Sequence, residues 1–295
     1  MTRTHENRLL EIEDLQLGFD GAQGLLPALR GVSVHLDRGE LVALVGQSGS
    51  GKSVTGLTVL RLLGANARIA KGAIRFDGQD LLSFSERQMR GIRGGRIAMV
   101  FQNAKASLNP IRRVGDTLAD IVLAHDTTGL SRKQALQKVV GLMAQIGIAL
   151  PEERARAYPS ELSGGMCQRI GIAAALASDP ELIIADEPTS ALDVTTQQLV
   201  MDTLTEAARA RGVAVIFITH DLALASEYCD RAVVMNAGRI VEEGPADRVF
   251  TDPQHPYTRA LLDALPYGKT DASELRPMTW TDPEDSAPGA EGPRS

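Results

Sequence analysis

Cysteine is scarce in this sequence, and its two cysteines are badly placed for the usual cysteine structures. Only Cys167 and Cys229 occur among the 295 residues. Neither forms a Cys-x-x-Cys pair, and neither lies in a Cys/His cluster. We therefore expect neither a disulfide framework of the secreted type nor a zinc-type site.

Long apolar runs are absent as well. No stretch approaches the roughly eighteen consecutive apolar residues that a membrane-spanning helix needs. The first residues, Met1–Arg8, are polar and charged, so they do not have the pattern of a signal peptide. We expect a chain that does not cross a bilayer by itself, so any role at a membrane would depend on a partner.

Positive charge is not in excess. Acidic residues outnumber basic ones by 37 to 31, which gives a formal net charge of −6. Nucleic-acid-binding domains usually carry a basic face, so no nucleic-acid partner is expected. With 43% hydrophobic and 23% charged residues, the composition is that of an ordinary globular protein with one or two domains.

The strongest local signal is the segment Gly46-Gln47-Ser48-Gly49-Ser50-Gly51-Lys52-Ser53, which fits G-x-x-x-x-G-K-[ST] without a gap. An apolar run at 41–45 precedes it and predicts a buried strand, and helical spacing over 53–63 follows it. The glycines let the backbone turn tightly and direct several N–H groups at one anion. The motif predicts a phosphate-binding loop in which Lys52 reaches the terminal phosphates and the Ser53 hydroxyl ligates Mg²⁺. The alternative, a turn that only connects strand to helix, does not explain Lys-Ser at this place.

Around this loop, the pattern predicts two kinds of strand. Residues 9–17 and 32–36 alternate apolar and polar residues, which is typical of half-buried strands in an antiparallel sheet. Short apolar runs predict buried strands at 96–101, 182–185 and 213–218. Between Leu108 and Leu162 almost no strand signal is present, and helical periodicity predicts a helical insert, about 108–178, in an α/β domain.

Polar residues follow the predicted buried strands. Gln102 follows the first, Asp186 and Glu187 follow the second, and His220 follows the third. The carboxyl ends of strands are where α/β sheets bind ligands. A further helix begins at Leu162-Ser163-Gly164-Gly165, whose free N–H groups would form a second anion site.

The last part of the chain has a different composition. Residues 266–295 are rich in Pro, Gly, Asp, Glu and Ser, and we expect most of them to be disordered. Trp280, the only tryptophan, lies there without an assigned role. We therefore expect one nucleotide-binding domain over 1–265, followed by a tail over 266–295.

The order of these motifs resembles the nucleotide-binding subunits of ATP-binding cassette (ABC) transporters. The resemblance covers Leu9 to about Leu265 and rests on the phosphate loop, Gln102, Leu162–Gly165, Leu182–Pro188, Ser190–Asp193 and His220. It implies the P-loop NTPase fold of ABC ATPases. That fold has a mixed sheet with flanking helices, an N-terminal antiparallel β subdomain and a helical insert.

A narrower resemblance is to the ATPase subunits of oligopeptide, dipeptide and nickel importers. It rests on Phe101–Asn103, Ser107–Pro110 and His255–Leu262. Many members of that subfamily carry a C-terminal cysteine cluster that holds an iron–sulfur centre. No cysteine follows Leu265 here, so no such cluster is expected. Cys167 stands where the family often has arginine, and we interpret it as a tolerated variant.

The resemblance implies ATP and Mg²⁺ as cofactors. It implies Lys52, Glu187 and His220 as catalytic residues, with Glu187 as general base. Ser53, Gln102 and Asp186 would hold Mg²⁺. The Ser163-Gly164-Gly165 segment would bind ATP held by a second subunit. The residues expected to contact nucleotide are Phe19, Gly46, Ser48, Gly49, Ser50, Gly51, Lys52, Ser53, Val54, Gln102, Ser163, Gly164, Gly165 and Asp193. From spacing alone Phe19 is equally a core aromatic.

The implied function is the ATP-hydrolysing subunit of an importer for dipeptides or oligopeptides, peripheral to the cytoplasmic face of the cell membrane. Its partners would be two transmembrane permease subunits, a second and related ATPase chain, and an extracytoplasmic solute-binding protein. Residues 109–123 are the expected surface for the permease loops.

Four alternatives stay open. They are an importer of nickel or another metal chelate, a soluble ABC ATPase of DNA repair, chromosome handling or translation, an exporter ATPase, and a regulatory module that holds ATP without turnover. DNA-handling relatives carry long coiled coils that the sequence lacks. Translation relatives usually hold two cassettes in one chain, whereas each motif occurs once here. The intact Glu187 and His220 argue against a module without turnover.

Overall fold

Two β-sheets organise residues 7–22, 24–190 and 192–264, which are the residues that the computed structural model describes. The strands are β1 (Arg8–Gly21), β2 (Gly24–Asp37), β3 (Leu41–Val45), β4 (Ala67–Phe76), β5 (Gln79–Asp80), β6 (Ile97–Val100), β7 (Leu182–Asp186), β8 (Ala214–Thr219), β9 (Arg231–Asn236) and β10 (Arg239–Pro245). The helices are α1 (Lys52–Val59), α2 (Glu86–Ile92), α3 (Ala104–Ser107), α4 (Val114–His125), α5 (Arg132–Gln145), α6 (Pro151–Arg154), α7 (Gly164–Leu176), α8 (Val194–Arg211), α9 (Leu222–Tyr228), α10 (Ala246–Thr251) and α11 (Pro256–Ala264).

The first sheet is antiparallel and has the strand order β2-β1-β4-β5. Its long strand β1 alternates buried and partly exposed residues over most of its length, as the half-buried pattern predicts. Strands β4 and β5 are joined at Asp77 and Gly78, both with positive φ, which suits an Asp-Gly hairpin turn.

The second sheet is mixed and has the order β10-β9-β3-β8-β7-β6. All neighbouring pairs are parallel except β10 with β9. Every residue of β3 and β8 is buried, because both faces of this sheet are covered. Val42 and Leu44 pack toward the first sheet, whereas Leu41, Ala43 and Val45 pack into the core against the helices.

The segment between the end of β6 at Val100 and the start of β7 at Leu182 is entirely described and contains helices but no strand. Helix α5 begins at a capping box, because Ser131 accepts from the Gln134 N–H while the Gln134 side chain accepts from the Ser131 N–H. The mixed sheet with flanking helices and the N-terminal antiparallel sheet confirm the predicted fold class.

One predicted helix is too long. The spacing predicts a helix over 53–63, but α1 ends at Val59. The Arg93 guanidinium, from the end of α2, donates to the carbonyl oxygens of Leu60 and Arg61. It therefore satisfies carbonyls that a longer helix would have used internally.

None of the described helices is both long and apolar enough to span a bilayer. The predicted tail over 266–295, with Trp280, lies outside the described residues.

Candidate active site

The loop between β3 and α1 has a backbone shape that requires glycine. Gly46 has a φ of 147°, and a Cβ placed on it would lie 2.1 Å from the Met235 carbonyl oxygen. Gly49 has a φ of 80°, and nothing lies within 4 Å of the position a Cβ would take. The loop is therefore pressed against β9 at Gly46 and open at Gly49, as a cradle for an anion would be.

Lys52 folds back over this loop. Its side chain is buried, with the residue 6% exposed. Its ammonium group donates to the carbonyl oxygens of Gly46 at 2.7 Å and Gln47 at 2.8 Å. Burial lowers the pKa of Lys52, and the carboxylates of Glu187 and Asp186 oppose that effect. The positive charge thus lies over the cradle, where phosphate oxygens would find it.

Asp186 ends β7 beside the first residues of α1. The Ser53 hydroxyl donates to Asp186 Oδ1 at 2.9 Å. Burial raises the pKa of Asp186, although the hydrogen bond from Ser53 acts in the opposite direction. The hydroxyl, the carboxylate and the amide of Gln102, which contacts the adjacent Glu187, offer the hard oxygen donors that Mg²⁺ prefers. Few protein ligands suit an ion that keeps several waters. The residues therefore fit Mg²⁺.

Glu187 lies between two side chains from neighbouring strand ends. Its carboxylate accepts from Gln102 Nε2 at 2.7 Å, and its other oxygen lies 3.3 Å from His220 Nδ1. The residue has a φ of 46°, and its N–H donates to the Ile218 carbonyl oxygen at 2.8 Å. For a glutamate, the left-handed conformation costs about 1–3 kcal/mol. The hydrogen bond to β8 helps to stabilise it.

Ser163, Gly165 and Asp193 form a second group of predicted site residues. Ser163 caps α7 by accepting from the Met166 N–H, and Asp193 caps α8 by accepting from the N–H and hydroxyl of Thr196. Each of these two side chains therefore binds the first turn of the helix that it precedes. A Cβ on Gly165 would lie 2.6 Å from the Thr196 methyl group. The two helix starts are therefore neighbours.

Phe19 lies on β1, paired with Leu26 of β2 and Ala67 of β4. It is partly buried against the core between the two sheets. That position leaves part of the ring accessible, so it is compatible with both adenine stacking and core packing.

The sequence reasoning missed a contact from the C-terminal part of the described chain. The Tyr257 hydroxyl accepts from the Gln47 N–H of the glycine loop at 3.2 Å. The Gly238 N–H, from the turn between β9 and β10, donates to the Ser50 carbonyl at 3.0 Å. No local pattern signals a bond between residues 210 positions apart.

An apolar groove lies between the start of the helical segment and the sheet. Its lining includes Leu62, Phe101, Leu108, Ile121 and His125. Phe101 is 43% exposed and Leu62 is 44% exposed, which is high for large apolar side chains. Part of the predicted partner surface over 109–123 lines this groove, and Ile111 from that stretch is 83% exposed.

Two known families match two separate parts of the chain. Residues 29–190 match the family described as "ABC transporter". Residues 241–290 match the family described as "Oligopeptide/dipeptide transporter, C-terminal region". The second match includes Tyr257.

Curated relatives cover most of the chain. The "Probable peptide ABC transporter ATP-binding protein y4tR" of Sinorhizobium fredii is 48% identical over 259 residues, which are 88% of this chain and 77% of the relative. The "Oligopeptide transport ATP-binding protein OppD" of Bacillus subtilis is 43% identical over 279 residues, covering 94% and 77%.

Solved structures support the same fold. A dimeric post-hydrolysis state of the ATP-binding cassette MJ0796, bound to ADP and Pi, superposes with a TM-score of 0.73 at 25% identity. The superposition covers 81% of this chain and 99% of that chain.

Proposed function

This chain belongs to the ABC transporter family, and we propose that it is the subunit that energises an importer of dipeptides or oligopeptides. It binds ATP and couples ATP hydrolysis to transport. The observation that carries the ATPase chemistry is Glu187, held between Gln102 and His220 beside the cradle that Lys52 covers. The match of the C-terminal region and the names of the relatives support peptides as the transported class.

The reaction transfers the terminal phosphoryl group of ATP to water, giving ADP and phosphate. In our proposal Lys52 leaves the Gly46 and Gln47 carbonyls and pairs with the phosphates. The Glu187 carboxylate accepts the proton from the attacking water, and His220 orients Glu187 and the phosphate. Positioning and charge neutralisation supply most of the catalysis in such reactions, and the described geometry offers both.

Ser53, Gln102 and Asp186 would hold Mg²⁺, as the family resemblance implies. The ion would supply charge neutralisation on the phosphate oxygens. In the structure the Ser53 hydroxyl already donates to Asp186, so these two side chains are close enough to share one site. The Gln102 amide donates to Glu187, the residue next to Asp186 in the sequence, so its oxygen would have to turn toward the ion.

The proposed site is completed by a second ATPase subunit. The residues Ser163-Gly164-Gly165 and Asp193 lie on neighbouring helix starts and would meet the nucleotide held by the partner. Val194, directly after Asp193, is 79% exposed, so a partner could contact it. Because the resemblance is to a subfamily with paired unlike ATPases, we propose a heterodimer. ATP would hold the closed dimer together, and hydrolysis would release it.

A chain of this family works with membrane permease partners. We propose two permease subunits whose cytoplasmic loops dock in the apolar groove lined by Leu62, Phe101 and Ile121. An extracytoplasmic solute-binding protein would complete the complex, and this chain would be peripheral to the cytoplasmic face of the membrane. No iron–sulfur cluster and no nucleic acid are expected in the assembly.

Affinity isolation of the full chain from solubilised native membranes tests this proposal. The expected result is recovery of two multi-span proteins and a second ATPase. Leu62→Asp should remove the multi-span proteins, whereas Ile69→Asp should not. Both positions are similarly exposed, at 44% and 41%, but Ile69 lies on β4 and not in the groove.

The identity of the co-purifying chains separates the alternatives. Recovery of ribosomes, DNA-repair proteins or no membrane protein would contradict the transport proposal. The solute-binding protein of the recovered system would then be titrated with short peptides and with nickel chelates. If it binds a chelate but no peptide, the proposal of a peptide importer would give way to that of a metal-chelate importer.

A further inference from the structure

Helix α11 contacts the glycine loop through its first turn. Tyr257, near its start, is fully buried. The Tyr257 hydroxyl accepts from the Gln47 N–H at 3.2 Å. Burial raises the pKa of Tyr257, so the side chain stays a neutral phenol at physiological pH.

The bond acts on one particular peptide unit. The Gly46 carbonyl and the Gln47 N–H belong to the same planar peptide group and therefore point in opposite directions. Lys52 holds the carbonyl end at 2.7 Å, and Tyr257 holds the N–H end. When Lys52 turns to the phosphates it gives up the Gly46 carbonyl, and the Tyr257 bond then remains at the other end of this peptide.

Tyr257 is itself held by a short series of hydrogen bonds. Glu242 of β10 accepts from the N–H groups of Gln254 and His255. His255 Nδ1 accepts from the Tyr257 N–H at 3.1 Å, at the start of α11. Arg259 donates back to the Pro253 carbonyl at 2.9 Å. The tyrosine is thus tied to β10, whose neighbour β9 pairs with β3, the strand that leads into the loop.

We infer that Tyr257 is a positioning residue for the phosphate loop, which keeps the Gly46–Gln47 peptide in its binding orientation while Lys52 moves to the nucleotide. The inference rests on the proposed use of this loop for ATP, and it gives the C-terminal region a role in nucleotide affinity. Tyr257 does not contact the nucleotide in this scheme. It acts only through Gln47.

Tyr257→Phe tests the inference because it removes only the hydroxyl. The matched control is Tyr228→Phe, since the Tyr228 hydroxyl donates to Asp202 between α9 and α8 and is also largely buried. Tyr257→Phe should raise KM for ATP in the complex with the second ATPase, and Kd for ADP in the full chain, by about threefold to tenfold, the size expected for one neutral hydrogen bond. The value of kcat at saturating ATP should not change, and Tyr228→Phe should leave KM and Kd unchanged.

Three results would overturn the inference. They are an unchanged KM in Tyr257→Phe, an equal rise in Tyr228→Phe, or a loss confined to kcat. If the complex of the wild-type chain with the second ATPase does not hydrolyse ATP, the proposed function fails, but the Kd for ADP of the chain itself still tests the tyrosine. The wild-type chain offers a second measurement, because the coupling between nucleotide binding and the Tyr257–Gln47 hydrogen bond is reciprocal. ATP should slow amide hydrogen exchange in residues 256–264, and no change there would also overturn the inference.

Discussion

A pair of alanine substitutions in the glycine loop separates steric contact from backbone strain. Gly46 and Gly49 both have positive φ, at 147° and 80°. A Cβ at position 46 would lie 2.1 Å from the Met235 carbonyl oxygen and 2.9 Å from the Ser50 hydroxyl. A Cβ at position 49 would meet nothing within 4 Å. Gly49→Ala therefore introduces strain alone, whereas Gly46→Ala introduces strain and a collision with the backbone of β9.

The two costs can be estimated separately. Placing an L residue in a left-handed conformation costs about 1–2 kcal/mol, which applies to both variants. Forcing extra volume into a packed position costs about 1–3 kcal/mol more, which applies only to Gly46→Ala. The Met235 carbonyl belongs to a buried strand and cannot turn away as a flexible side chain would. We expect Gly46→Ala to lose about 2–5 kcal/mol of unfolding free energy and Gly49→Ala about 1–2 kcal/mol.

Thermal unfolding of both variants without nucleotide measures this difference. Each kcal/mol lowers Tm by about 2–4 °C in a domain of this size, so the two curves should be clearly separated. Titration with a fluorescent ATP analogue should show a larger loss of affinity for Gly46→Ala, because β9 and the loop must move apart. Equal losses of Tm in the two variants, or normal ATP affinity in Gly46→Ala, would refute the steric reasoning.

Three further substitutions test the chemistry of the site. In the complex with the second ATPase, Glu187→Gln should retain ATP binding but lose turnover by at least about 100-fold, the usual contribution of a general base. Gel filtration of the two ATPase chains with ATP should show a trapped dimer, and normal phosphate release would contradict the general-base assignment. Lys52→Ala should abolish ATP binding in a filter assay, because the phosphates lose their cation; unchanged affinity would exclude Lys52 from the site. Burial raises the pKa of Asp186, so the folded state binds the proton more readily than the unfolded state. Protonation of Asp186 therefore stabilises the folded state. That contribution is fully present below the unfolded pKa and is lost as the pH rises through the folded pKa. Without magnesium, Asp186→Asn should therefore have a higher free energy of unfolding than wild type at pH 7. Urea unfolding should show that this difference shrinks toward pH 4, and a difference independent of pH would contradict the raised pKa of Asp186.

Much of the secondary structure around the site can be predicted from the local sequence pattern. The buried strands β7 and β8 are apolar at consecutive positions because helices cover one face and the first sheet covers the other, and such runs are easy to recognise. The position of Gln102, Glu187 and His220 at one edge of the sheet also follows from the strands that precede them. The cap of α5 at Ser131 could be predicted because its partners are three residues apart.

Contacts that join distant parts of the chain could not be predicted in this way. Helix α1 ends at Val59, and Arg93, more than thirty residues further on, binds the carbonyls of Leu60 and Arg61 that follow it. The positive φ of Glu187 depends on a hydrogen bond to Ile218, and no property of glutamate favours it. The bond from Gln47 to Tyr257 spans 210 positions. In each case tertiary packing determines the partner, and the local periodicity of the sequence gives no information about that packing.

Strand register explains why the proposed catalytic side chains meet although they come from distant parts of the sequence. In the parallel ladder Val100 pairs with Ala185, and Ala185 pairs with Phe217. Two residues beyond these partners lie Gln102, Glu187 and Thr219, at or just past the ends of their strands, so they reach the same edge of the sheet. His220 follows directly.

A slip of one residue would displace one strand end along this edge and turn the side chains of that strand to the other face of the sheet. The strand interiors resist that slip, because Ile183 and Val215, paired across β7 and β8, are fully buried. The geometry of the site is therefore held by apolar residues that do not contact it. For that reason, a core substitution that shifts the pairing of β7 with β8 should impair hydrolysis even where every polar residue of the site is intact.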